Sequence, residues 1–320
     1  MRFFAALAAL AVFVSAEAAS ADRRTQTKPA LGIGDAAWLA PDADRVAFLI
    51  QMPGECLRNP ENGDQRFLVE VGRAAFRSPL LLGGQAARGG LSCNACHRDG
   101  RDNPDFFLEG LSETPGTADV TSSLFSKTRD DGVFNPLPIP SLVDTGGKAM
   151  FGERAQAASL HAFISGAVVE EFQGAAPHGT IVAGLAAYIS HLGSDACPDG
   201  PTSASVLRDM QAAARALAAA ETALGRGDAA TADFLLLAAQ RELRSVHERF
   251  EASSKARSKL ESLARDIGAI RPLAGERVGE AEALVAEKRA ETQELARFLH
   301  KRRAKSLYDK AALERRLAEP

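Results

Sequence analysis

The chain has 320 residues, with 38 Lys and Arg against 41 Asp and Glu, a net charge of −3, and 46% hydrophobic residues. A balance this close to neutral excludes a protein built around a basic nucleic-acid surface, and four cysteines are too few for a disulfide-scaffolded chain of this size. The length is long for one domain and comfortable for two.

At the N-terminus, Met1-Arg2 precedes an uncharged apolar run from Phe3 to Ser15 and then small residues up to Ala21. This reads as a secretory signal peptide over residues 1–21, with cleavage after Ala18 or Ala21. The run is shorter than the roughly 20 residues a bilayer core requires, and no later stretch is long and apolar enough to span one. The mature protein is therefore expected in the periplasm, with no membrane span and in an oxidising environment.

Phe67, Val71 and Ala75, with Leu68 and Phe76 alongside, predict a helix that ends before Ser78-Pro79. A Gly-rich link, 83–90, leads into Cys93-Asn94-Ala95-Cys96-His97, a C-x-x-C-H run. Three chemistries compete for it: covalent haem attachment, a zinc site and a thioredoxin-like dithiol. Zinc would need a second ligand pair, and Cys56 and Cys197 stand far apart and isolated. A redox dithiol would open a helix in a βαβ context, and no strand pattern precedes Cys93. Haem c needs two thiols about one helical turn apart and an imidazole that reaches iron from the same side, which this run supplies. One covalent haem c is thus expected on Cys93 and Cys96, with His97 as an iron ligand. Cys56 and Cys197, two lone cysteines in an exported chain, are expected to pair in a disulfide around the whole region.

Residues 101–147 are rich in turn formers, and two further helices are predicted from Ala155 to about Phe172 and from Thr180 to Leu192. Glu170 and Glu171 are adjacent helical residues that point apart, so they read as a solvated face. Near Pro198 and Pro201 the composition shifts from Gly, Pro and Phe to Ala, Leu, Glu, Arg and Lys. The chain therefore divides into a haem unit with an N-terminal arm over 22–200 and an all-helical unit over 201–320. The acidic first part favours a basic redox partner.

In the second part, Leu207, Met210, Ala214, Leu217, Ala220 and Leu224 form one stripe, broken and recapped at Gly225-Arg226-Gly227-Asp228. Leu236, Ala239, Leu243, Val246 and Phe250 form the next, then Leu260, Leu263, Ile267 and Ile270. From about Glu276 the pattern resumes through Val278, Ala281, Val285, Leu295 and Leu299, and the last stretch is a charged helix expected to fray. With no ligand cluster and His247 and His300 among charged residues, this part reads as a helical hairpin or coiled coil for docking or self-association. A homo-oligomer through these helices is one expectation, and a haem unit that stands without them is another.

The order of elements resembles the class I cytochrome c fold. More narrowly, "VGRAAFRSPLLLGGQAARGGLSCNACH" and "PIPSLVDTGGKAMFGERAQAASLHAFISGAV" are similar to segments of the bacterial di-haem cytochrome c peroxidases, over about residues 66–193. The chain departs from that family in carrying one C-x-x-C-H instead of two and Phe151-Gly152-Glu153-Arg154 in place of a Trp-Asp-Gly-Arg run. The resemblance implies an all-α class I haem domain without the peroxidase activity. It places Met150, in the Gly-flanked "GGKAMFG", as the sixth iron ligand, with His161 as the alternative and His178 and His191 behind it. Arg88 and Arg154 are expected on the haem propionates.

The resulting expectation is an exported mono-haem electron carrier that docks an unidentified redox protein. The alternatives are a peroxidase-like haem enzyme with an open or displaceable sixth position and a haem-based sensor.

Overall fold

Two helices cross so closely that neither can carry a side chain at the contact. In the computed structural model, which describes residues 33–152 and 157–318, a Cβ on Gly72 would lie 2.0 Å from the carbonyl oxygen of Gly184. The signal peptide and Arg154 lie outside the described residues.

The arm comes first. Asp44 caps α1 (Arg45–Ile50) by accepting the Ala47 N–H at 2.9 Å. Next comes β1 (Gln51–Met52), antiparallel to β4 (Thr202–Ser203). Asn62 then caps α2 (Gly63–Arg77), accepting from Gln65 N at 3.0 Å, and the helix stops at Ser78 before Pro79. After the short α3 (Gly84–Gly89) and the single turn α4 (Cys93–Cys96), the chain runs through turns and one small ladder, β2 (Thr117–Ala118) with β3 (Leu137–Pro138).

Ser159 caps α5 (Leu160–Gly166) by accepting the Ala162 N–H at 3.1 Å, so this helix starts later than the apolar spacing suggested. It passes into a π turn, Ala167–Glu171. α6 (Gly179–Ser190) crosses α2 at Gly72 and Gly184, and the rings of Phe76 and Tyr188 pack beside the crossing with centroids 5.2 Å apart.

The remaining helices are α7 (Val206–Gly225), α8 (Ala229–Glu248), α9 (Ser254–Ile270), the short α10 (Leu273–Glu276), α11 (Val278–His300) and α12 (Lys310–Ala318). Asp228 restarts the chain after the Gly225–Gly227 break, accepting from Thr231 N at 3.0 Å. The four long helices pack in a ring, α7 on α8, α8 on α9, α9 on α11 and α11 on α7. They form a four-helix bundle, within which α7 and α8 are one helical hairpin. Its apolar stripes face inward: Met210, Leu217, Leu236, Leu243, Leu263, Ile267, Val285 and Leu299 are all buried. Of the two ways to bury such stripes, an antiparallel bundle or pairing with another chain, the first is the one seen here. The first begins at Val206, and Leu207 is exposed.

Two further readings change. The closing helix α12 buries Leu313 against Ile33, Leu39, Phe48, Leu49 and Leu307, so the last helix is pinned on the N-terminal arm. The composition break near residue 200 is also not a break in packing. α2 touches both α7 and α8, one apolar core runs from Phe67 to Tyr308, and residues 31–319 form one compact unit. All 18-residue windows of the described helices fall short of the apolar character needed to cross a membrane.

Candidate functional site

The C-x-x-C-H run is set by its flanks. Gly90 ends α3 with φ 78°, a left-handed conformation that delivers the chain to α4. Within α4 the single turn places Cys93 and Cys96 one above the other, and the His97 N–H bonds Cys93 O at 2.8 Å. Cys56 and Cys197 form a disulfide, while Cys93 and Cys96 are free. Burial pushes both free thiols up to about 12. Among the described residues no group of three or more His, Cys, Asp and Glu converges as a metal site.

His97 is oriented by a strap. Leu142 N bonds Gly100 O and Ile139 N bonds Gly116 O, both at 2.9 Å, and between them Pro140 O lies 2.9 Å from His97 Nδ1. A carbonyl only accepts, so Nδ1 carries the proton and Nε2 is left with its lone pair. Burial lowers the pKa of the ring, outweighing the Pro140 bond and Asp102, which favours the neutral imidazole that metal ligation requires.

Behind the run sits a ladder of buried charge. Asp99, two residues past His97 and 1% exposed, has φ 53° and is held by Arg77 at 2.8 Å and by the Gly54 N–H at 3.2 Å. Arg77 also bonds Glu55 at 2.9 Å, and Glu55 takes Arg73 at 2.6 Å and the Tyr188 hydroxyl at 3.1 Å. Arg73 bonds Glu70 at 2.9 Å, and Glu70 meets Arg215 of α7 at 3.3 Å. An unbroken chain of ion pairs therefore joins the bundle to the turn after His97.

The other expected residues are scattered. Met150 is 44% exposed after the turn Thr145–Gly147. His161 is exposed on the first turn of α5. His178 Nδ1 faces Asp228 at 3.6 Å and Thr231 Oγ1 at 3.3 Å, and His191 Nδ1 lies 2.7 Å from Ala187 O. The sulfur of Met52 accepts from Arg98 at 3.1 Å. Arg88 bonds Gln85 on its own helix at 3.3 Å and lines an open groove of about 640 Å³ with Glu109 and Lys127, whose walls contain none of Cys93, Cys96 or His97.

Sequence reasoning passed over Arg101, four residues after His97. Its Nε and one Nη are buried without a partner among the described residues, which costs stability unless an acceptor arrives. It also passed over Arg129, which pairs with the exposed Glu170 at 2.8 Å and with Glu171, and Glu171 is buried where a solvated face was expected. Two adjacent free thiols and an imidazole whose Nδ1 is engaged by Pro140 leave Nε2 as the ring's remaining lone pair, a set whose chemistry fits a covalently held iron macrocycle. Comparison of the chain with protein-family models, with curated proteins and with solved structures finds no match.

Proposed function

We propose that this protein is an exported mono-haem c-type cytochrome that carries electrons. The observation that carries the reading is the His97 Nδ1 to Pro140 O hydrogen bond beside the free pair Cys93 and Cys96. In this reading Cys93 and Cys96 hold the haem as thioethers, His97 Nε2 is the proximal ligand, and Arg101 offers its unpaired N–H groups to a propionate. Bound there, the haem supplies one-electron Fe(III)/Fe(II) cycling. The strap 137–142 fixes the His97 ring, and the buried ladder from Asp99 to Arg215 fixes the turn that follows it. The close α2/α6 crossing ahead of the thiols and after the strap supports a class I cytochrome c fold.

The test is the intact mass of protein matured in a periplasm with haem c assembly. It should exceed the cleaved polypeptide by one haem, and Cys93→Ser with Cys96→Ser should abolish the gain. A wild-type mass equal to the bare chain would sink the reading. A second reading, a peroxidase-like enzyme with an open or displaceable sixth position, is favoured by the exposure of Met150, since a side chain so placed would be a weakly held ligand. Addition of CO and peroxide to the reduced and oxidised protein separates the two. A carrier's spectrum ignores both, and Met150→Ala should then open the site to CO while His161→Ala leaves it closed.

A further inference from the structure

The strap that reaches His97 begins with a segment that nothing covers. From Asp130 to Leu137 almost every residue is exposed, including three large apolar side chains, Val133 at 58%, Phe134 at 56% and Leu137 at 45%. Water does not favour such a cluster, and on a folded protein it marks a contact surface. The segment is not a loose tip. Asp130 and Asp131 each fold back to accept a backbone N–H, from Gly132 at 3.1 Å and Val133 at 3.0 Å, and Ile139 and Pro140 anchor its far end on Gly116 and His97. Each aspartate keeps a second carboxylate oxygen for solvent, and neither has an ion-pair partner among the described residues, since the neighbouring Arg129 is spent on Glu170 and Glu171.

We propose that residues 130–137 form the docking face for a small basic redox protein, with Val133, Phe134 and Leu137 as the apolar centre and Asp130 and Asp131 as the charged rim. The inference rests on the cytochrome reading for the redox character of the partner. The occupant's charge follows from the rim. An apolar centre with unpaired carboxylates beside it complements a patch of the same design ringed by Lys or Arg, and such rims govern association and its salt dependence. A second copy of this chain is the poorer occupant, because it would oppose aspartate to aspartate.

The probe is a basic c-type cytochrome, titrated calorimetrically into the mature holo-protein at low and at physiological salt. Saturable binding is expected that weakens with salt and falls about tenfold or more in Asp130→Lys/Asp131→Lys. Phe134→Ser should weaken it by a similar factor while the absorption spectrum stays unchanged. Wild-type binding that is absent, equal for an acidic probe, or unaltered in both variants would overturn the proposal. So would a shifted haem spectrum in Phe134→Ser, which would mean that these side chains cover the cofactor. A protein without haem absorption would instead count against the cytochrome reading itself.

Discussion

Arg77 on α2 and Asp99 beyond His97 form a 2.8 Å ion pair in which the aspartate is almost wholly buried. Asp99 sits at a positive φ that non-glycine residues rarely adopt, so its side-chain bonds to Arg77 and Gly54 pin the turn that leaves the His97 segment. Removing Arg77 would leave the buried Asp99 without a cation, and would leave Glu55 with Arg73 and the Tyr188 hydroxyl alone. Arg77→Met should therefore cost about 3 to 5 kcal/mol, the usual penalty for breaking a buried pair from one side. Arg77→Lys should recover only part of it, since the ammonium sits on a shorter side chain than the guanidinium nitrogen that meets both carboxylates. Urea midpoints with a common slope measure both, and a loss under about 1 kcal/mol for Arg77→Met would show the pair to be idle.

The same network sets an acid limit. Burial alone would raise the Glu55 carboxyl, but the guanidiniums of Arg77 and Arg73 outweigh it and hold it at about 2, against an ordinary 4.5. A pKa depressed by folding adds stability that is complete above the unfolded value and lost as pH falls through the folded one. Glu55 should thus withdraw up to about 3 kcal/mol between roughly pH 5 and pH 2. Glu171 and Glu242, both raised by burial, act with the opposite sign. The clean measurement is the stability difference between wild type and Glu55→Gln, which should shrink on acidification; a difference constant over that range would refute the assignment.

The disulfide Cys56–Cys197 spans 141 residues. Around it Gly193 N bonds Cys56 O at 2.8 Å, Arg58 N bonds His191 O at 2.9 Å, and β1 pairs with β4. These bonds tie the arm to the end of α6 and to the start of the bundle. Cys56→Ser/Cys197→Ser should lower stability by about 2 to 5 kcal/mol, as for native disulfides generally. The wild type treated with reductant should fall to the same level. Peptide mapping that finds both thiols alkylatable without reduction would remove the effect and its explanation together.

What the sequence made legible was local. Ser78-Pro79 and Gly225-Arg226-Gly227-Asp228 mark helix ends through backbone chemistry that acts within a few residues, and the isolation of Cys56 and Cys197 left one sensible pairing. The bundle's apolar stripes were equally plain, although not that they close on one another. The charge ladder was hidden because Glu55, Arg77, Asp99 and Arg215 converge from distant positions, and each alone reads as a surface residue. On α2 the spacing of Glu70, Arg73 and Arg77 was the one available sign, and it is also the spacing of an ordinary solvated helix face. Arg101 could not be singled out, since its mark is two buried guanidinium nitrogens without a partner among the described residues, which no sequence pattern reveals.

The composition break near residue 200 predicts a haem unit that survives alone, and the packing predicts the reverse. α2 is clamped from the bundle side: Arg226 stacks 4.3 Å from the Phe67 ring centroid and pairs with Asp64 at 2.6 Å, and Arg215 reaches Glu70. The arm depends on the bundle as well, through Gly34 N to Glu248 at 3.0 Å, Arg249 to Leu49 O at 3.1 Å and Ala204 N to Ile50 O at 2.8 Å. A chain cut after residue 200 would expose the apolar face of α2, leave Glu70 without Arg215, and strip the arm of its contacts with the bundle and with α12. Such exposure of core surface favours aggregation over a stable half-protein. The truncated protein is therefore expected to be poorly soluble, or to lose the cooperative urea transition of the full chain, and to incorporate haem weakly. A soluble truncated form with the full chain's spectrum and a sharp transition would show that the bundle is an appendage after all.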